Sequence, residues 1–285
     1  MIERHQDMVA PCCRLVRVGD VLVASDLGRH QFSPDFVMGP GPSSFLLARH
    51  VRPAVRGRLL DLGCGPAFQG LVHGGTRTEV HGVDISERAI AFARFNARLN
   101  GRDRLRAELG DFLGEVPDRR LDGRFDTVVA NPPYVIAPER ALIYRDSPLG
   151  GDDVGARTVE RVARALAPGG RGYVLCNWID RGGAWSDPVR RWLADTGATS
   201  VVTRLRELSA ADYVAIWTRG IPVAERPRAV SEWAAAFERD GIRRIHVGVV
   251  ALARPRGPRR SAFRAVEGSG GAGAWRTLEA VLTGV

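Results

Sequence analysis

The sequence predicts an α/β protein whose mostly parallel, seven-stranded sheet carries helices on both faces. Three observations predict it. From Leu59 to Leu252, short apolar runs alternate with helical periodicity, the pattern of strands joined by crossover helices. The run Leu59-Leu60-Asp61-Leu62 breaks into Gly63-Cys64-Gly65-Pro66-Ala67, a buried strand feeding a tight turn. The next three apolar runs close on Asp84, on Gly110-Asp111-Phe112 and on Asn131-Pro132-Pro133-Tyr134.

Taken in order, residues 1–50 read as a strand-and-loop extension. It holds a strand pair over 15–18 and 21–24, the loop Phe36-Val37-Met38-Gly39-Pro40-Gly41-Pro42 as a substrate- or cofactor-covering segment, and a helix capped by Ser43 or Ser44 that runs to Val51. Residues 51–253 form the central domain. Its strands are predicted at 59–62, 80–84, 105–109, 125–130, 172–176, 200–203 and 245–252. Ser86 caps a helix with Ile90, Ala93 and Ala97 on one face and Arg94 and Arg98 on another, ending at Asn100-Gly101. The double proline after Asn131 cannot continue a central strand, so the chain leaves the sheet there. A helix over 153–167 carries Val159, Val162, Ala163 and Leu166 and stops at Pro168-Gly169-Gly170; another holds Val189, Trp192 and Leu193. Residues 204–241 are a helical excursion, with helices at 210–218 and 228–240, and are a candidate substrate cover because they exceed an ordinary connection. Residues 254–285 form a basic, glycine-rich tail with a short helix over 275–282.

Composition sets bounds on function. The chain has 285 residues, 45% of them hydrophobic, enough for one large domain. No run approaches the roughly 20 apolar residues that span a bilayer, so the expected location is cytoplasmic, with no membrane partner. The net charge of +9 comes from 41 basic residues that are all arginine. With abundant alanine and glycine, that reads as codon bias as much as an electrostatic design for nucleic acid. Cys12, Cys13, Cys64 and Cys176 show neither zinc spacing nor a disulfide framework, so no metal is expected.

In an open α/β sheet, ligands bind beyond the carboxyl ends of the strands, where the strand order reverses. The marked residues fall at four consecutive strand ends. Asp84 lies about 20 positions after Gly63, where a carboxylate accepts hydrogen bonds from a ribose diol. A dinucleotide site would read G-x-G-x-x-G, and Phe68 stands at the third glycine, which argues against a pyrophosphate.

On these residues the chain resembles the class I S-adenosylmethionine-dependent methyltransferases, which have a Rossmann-like fold. Asp61 to Ala67 is similar to their first motif, with Ala67 where a third glycine is usual. The resemblance covers about residues 36–253 and implies S-adenosyl-L-methionine as cofactor, with S-adenosyl-L-homocysteine as product. It implies that Asp61 and the backbone of Gly63, Cys64 and Gly65 hold the methionine part, that Asp84 holds the ribose and Asp111 the adenine amino group, and that Ile85 and Phe112 flank the ring. Asn131-Pro132-Pro133-Tyr134 resembles the N-P-P-Y signature of methyltransferases that act on planar nitrogen. Such a nitrogen is a poor nucleophile because its lone pair is delocalised; acceptors aimed at its N–H groups turn that lone pair toward the methyl carbon. The resemblance makes the Asn131 side-chain oxygen and the Pro132 carbonyl those acceptors, with Asn131 also bordering the cofactor, and stacks Tyr134 on the acceptor ring. Tyr144, Arg145, Asn177 and Trp178 are candidate substrate-binding residues by position alone. The six histidines supply no general base.

The whole-chain pattern is similar to the small-domain enzymes that methylate glutamine in release factors or guanine and adenine in RNA. It departs from them in its front end. Release-factor enzymes carry an N-terminal helical domain, and this chain has strands and loops there; DNA adenine enzymes need a recognition domain larger than 204–241. The expected acceptor is therefore a nitrogen of a small planar or amine-bearing molecule, such as a specialised metabolite. An RNA base, a protein glutamine, an O- or C-methyl acceptor, and a non-catalytic cofactor-binding module are the alternatives. Oligomeric state is left open.

Overall fold

A computed structural model describes the chain except residues 1, 6, 7, 32, 54, 56, 115–117, 139–144, 148–151, 258–260, 269–272 and 285. Two antiparallel hairpins come first: β1 (Ile2–His5) with β2 (Met8–Pro11), and β3 (Arg14–Val18) with β4 (Val21–Ser25). Helix α1 (Pro42–His50) follows the covering loop. The central alternation is β5 (Arg58–Leu62), α2 (Phe68–His73), β6 (Glu79–Asp84), α3 (Glu87–Leu99), β7 (Leu105–Leu109), β8 (Phe125–Ala130), α4 (Asp153–Ala165), β9 (Leu166–Ile179) and α5 (Asp187–Leu193). Then come β10 (Thr199–Ser209), α6 (Ala210–Thr218), α7 (Arg226–Arg239), β11 (Arg244–Ala253), β12 (Phe263–Glu267) and α8 (Ala274–Thr283).

The main sheet has the order β12-β10-β11-β9-β8-β5-β6-β7, and only β11 runs antiparallel to its neighbours. It has eight strands where the sequence predicts seven. The eighth is β12, which pairs parallel with β10 from Ser200↔Phe263 to Arg204↔Glu267. Alternating burial on that strand is too weak to mark it in the sequence, since three of its five side chains are exposed. The stretch after Arg254 is thus part of the domain: Ala274 and Leu278 of α8 are buried in the core.

Adjacent residues of the central strands face opposite cores, as a strand's period of two requires. Leu59, Val129 and Leu175 meet α1, α2, α3 and α8 on one face through Leu47, Leu71, Ala93 and Leu278. Leu60, Val128 and Val174 meet α4 and α5 on the other through Val159, Val162 and Val189. Strand order reverses between β5 and β8, so their carboxyl ends diverge into a crevice.

Local predictions met the structure unevenly. Ser86 caps α3, its Oγ accepting from the Ala89 amide at 3.2 Å, and Gly101 takes the left-handed conformation that ends it. Helix α1 is capped at Gly41 instead of Ser43 or Ser44, with Pro42 as its first residue; the proline's fixed φ starts the helix earlier. Strand β9 begins at Leu166, because Pro168-Gly169-Gly170 forms a bulge against β8 and does not separate helix from strand. The sequence reading missed Asn96. This buried side chain accepts from Ala24 N at 2.8 Å and donates to Ala24 O and Pro66 O, while Asn100 does the same for Leu22. The two asparagines fasten β4 to α3 and to the glycine turn.

Candidate active site

The crevice holds a cavity of about 880 Å³. Its floor is the turn after β5. Gly63 and Gly65 sit at φ +67° and +52°, where a side chain is strained, and a Cβ on Gly65 would point into open space. Ala67 shares this conformation at φ +63°, the sole non-glycine residue to do so among the described residues. The turn is held from beneath: Gly63 N and Cys64 N both donate to Val83 O, and Gly65 N donates to Asp84 Oδ2 at 2.8 Å.

Asp61 is buried under the turn and accepts from Gly70 N at 3.0 Å. Burial pushes its carboxyl up to about 7; the Gly70 amide pulls the other way and the nearby Asp84 charge adds to the rise. Asp84 accepts from the amides of Gly65, of Ser86 at 2.9 Å and of Ile85, and burial raises its pKa too. With three amides on about four acceptor sites, the carboxylate keeps room for a hydroxyl. The Cys64 thiol is pushed well above its ordinary value by burial, so it is a neutral wall and no nucleophile.

Two further walls complete the cavity. Ile85, Asp111 and Phe112 line it, and Leu113 N donates to Asp111 Oδ1 at 2.9 Å. Two arginines of α4 that the sequence did not single out shape this loop: Arg157 donates to Leu113 O, and Arg161 to Phe112 O and Gly114 O. Opposite stands the loop 34–40, which lines the cavity along its whole length.

The end of β8 brings Asn131 and Pro133 to the cavity. Asn131 Oδ1 is buried and has no hydrogen-bond partner among the described residues. An acceptor in that state costs about 1–3 kcal/mol unless a ligand donates to it. Pro132 and Tyr134 are not on the cavity wall. The Tyr134 hydroxyl is hydrogen-bonded with Ser43, and its ring meets Trp217 edge-on at 6.5 Å. The excursion helices pull it away: α6 and α7 pack Tyr213, Trp233 and Phe237 on the segment after the double proline, and the Tyr213 hydroxyl accepts from Ile136 N at 3.0 Å.

The candidate substrate residues fall elsewhere. Arg145 is held by the buried Asp146 at 2.6 Å and donates to Trp217 O, away from the cavity. Asn177 is buried behind the motif, its amide donating to the Tyr213 hydroxyl at 2.8 Å. Trp178 is fully buried, stacked on Trp185, and donates to Trp185 O. Tyr144 lies outside the described residues. Among the described residues no cluster of acidic, histidine and cysteine side chains could hold a metal, and no helix is long and apolar enough to cross a membrane.

The cavity fits S-adenosylmethionine. The floor leaves room over Gly65, the Asp84 carboxylate keeps room for a hydroxyl, and Asn131 joins them on the cavity wall. Residues 55–179 match the family model of a methyltransferase domain. The chain is 29% identical over 198 residues to the release factor glutamine methyltransferase of Bordetella pertussis, covering 65% of this chain and 70% of that one. It is 36% identical over 148 residues to the 4-amino-L-phenylalanine/4-methylamino-L-phenylalanine methyltransferase of Streptomyces pristinaespiralis, covering 48% of this chain and 40% of that protein, so this match spans less than half of the relative. Among solved structures, the geranyl diphosphate C-methyltransferase of Streptomyces coelicolor aligns with a TM-score of 0.45 at 18% identity, over 74% of this chain and 78% of that one. The fold is Rossmann-like, residues 55–179 match a methyltransferase domain, and S-adenosylmethionine is the cofactor.

Proposed function

We propose that the protein transfers the methyl group of S-adenosylmethionine to a nitrogen of a small planar or amine-bearing molecule. The observation that carries this reading is Asn131, which lines the cavity at the end of β8 and whose buried Oδ1 has no hydrogen-bond partner among the described residues. An amine N–H satisfies it. That hydrogen bond orients the nitrogen and leaves its lone pair free for the methyl carbon.

The cofactor, once bound, supplies an electrophilic methyl group on a sulfonium. The chain's residues do the rest. Asp84 accepts from the ribose, Asp111 from the adenine amine, and Ile85 and Phe112 enclose the ring. Asp61 lies beneath the turn as a carboxyl poised near neutrality, suited to a cationic ammonium. The loop 34–40 and Phe68 exclude water from the reacting centre. The acceptor's proton is not taken by any histidine of the site, because none lines the cavity.

Two features favour a compact acceptor. The loop 34–40 walls the front of the cavity, and the acidic residues Asp35, Asp61, Asp84, Glu87 and Asp111 outnumber Arg88 and Arg157 on its walls. That balance opposes a phosphate backbone at the site despite the net charge of +9. The relative that methylates 4-amino-L-phenylalanine offers an aryl amine as precedent. Protein glutamine is the second reading, favoured by the match to the release-factor enzyme. The test is incubation with labelled cofactor and separate panels of aryl and alkyl amines, release factor and ribosomal RNA. Transfer to an amine at a salt-independent rate supports the proposal; transfer to the protein or the RNA alone refutes it.

A further inference from the structure

One carboxylate ties together three elements around the cavity, and the cofactor reading leaves it without a role. Asp26 follows β4, and its side chain is 2% exposed. One oxygen accepts from Val37 N at 2.9 Å and from Arg88 Nε at 2.9 Å; the other accepts from Arg88 Nη2 at 2.6 Å. The backbone closes the same link in reverse, with Asp26 N donating to Val37 O at 3.1 Å. Val37 is the middle of the covering loop, and Arg88 stands in the first turn of α3, four positions after Asp84.

The contacts around this link show a fitted seat. A Cβ on Gly39 would run into Ser25 Oγ, so the loop lies directly on the end of β4. Val37 packs with Ala24, Ala89 and Phe92 in a small cluster of its own, and the Arg88 guanidinium sits 5.6 Å from the Phe92 ring centre. A second, looser carboxylate, Asp35, lies 3.9 Å from Arg88 on the outer side. Phe36, Val37, Met38 and Arg88 all line the cavity.

We propose that Asp26 and Arg88 form a latch that holds the loop 34–40 closed over the ribose side of the cavity, so that cofactor exchange requires the latch to open. Both are positioning residues. The charge-assisted, two-pronged pair is the strong, geometrically exacting kind, and Asp26 is held where a neutral residue could not keep both partners. The role in exchange rests on the cofactor reading; the closure of the loop does not.

Two variants test it, Asp26→Asn and Arg88→Gln, the second at a half-exposed side chain that the fold tolerates. Glu279→Gln, which loosens the α8 contact with Arg171 on the far side, serves as a destabilised control. Release of S-adenosylhomocysteine should accelerate about tenfold or more in both latch variants and stay within twofold in the control. Hydrogen exchange of the peptide containing Val37 should accelerate by a similar factor in the protein without ligand. Release within twofold of wild type in folded latch variants overturns the proposal. If wild type itself does not bind S-adenosylhomocysteine, the cofactor reading fails, and the exchange at Val37 alone decides the latch: no acceleration overturns it.

Discussion

Replacing Asn131 by alanine should separate turnover from stability, because its side-chain oxygen has no partner among the described residues. A buried acceptor without a donor carries a desolvation penalty of about 1–3 kcal/mol. Deleting it removes that penalty and some packing, so the unfolding free energy should change by no more than about 1 kcal/mol in either direction. In the reacting complex the same oxygen holds the amine. Loss of one preorganised group of this kind costs about 10²–10³ in turnover, or roughly 2.7–4 kcal/mol. Cofactor affinity should hold within about threefold, since Asp61, Asp84 and the glycine turn are untouched. The assays are initial rates at saturating cofactor, urea unfolding, and calorimetric titration with S-adenosylhomocysteine. Turnover within threefold of wild type would refute the reasoning, and so would a loss of stability above about 3 kcal/mol, which would mean the oxygen is a structural acceptor.

Three further outcomes are expected. Asp84→Ala should weaken S-adenosylhomocysteine binding about 10- to 150-fold, the loss of a hydrogen bond to a charged group worth about 1.5–3 kcal/mol; unchanged affinity by calorimetry would remove the ribose role. Cofactor affinity should fall as pH drops below about 7, because the buried Asp61 carboxyl takes up a proton there and no longer attracts an ammonium. The slope should approach tenfold per pH unit and vanish in Asp61→Asn, measured by titration from pH 8 to pH 5.5. Tyr213→Phe should destabilise the fold by about 1–3 kcal/mol, since Ile136 N and the Asn177 amide both lose their acceptor; an unchanged urea midpoint would show that the two donors find other partners.

The sequence alone determined the alternation of strands and helices and the turn after β5. These are local signals. A left-handed turn needs glycine, a parallel core strand needs an unbroken apolar run, and Ser86 and Gly101 punctuate α3 wherever it packs. Asp61, Gly65, Asp84, Asp111 and Asn131 line one cavity from four strand ends.

Only the tertiary structure decided the acceptor side. Tyr134 is turned from the cavity by Trp217 and Ser43, and Trp178, Asn177 and Arg145 are drawn into packing or pairing with residues distant in the chain. No local pattern reveals such partners, because an aromatic or an arginine at a strand end has the same sequence signature whether it faces a ligand or a helix. The same holds for β12, whose pairing with β10 supplies the order that its own five residues lack, and for Asp26, 62 positions from Arg88, whose meaning appears only once α3 and the covering loop meet over it. Backbone freedom and periodicity are written residue by residue; burial and partnership belong to the chain once folded.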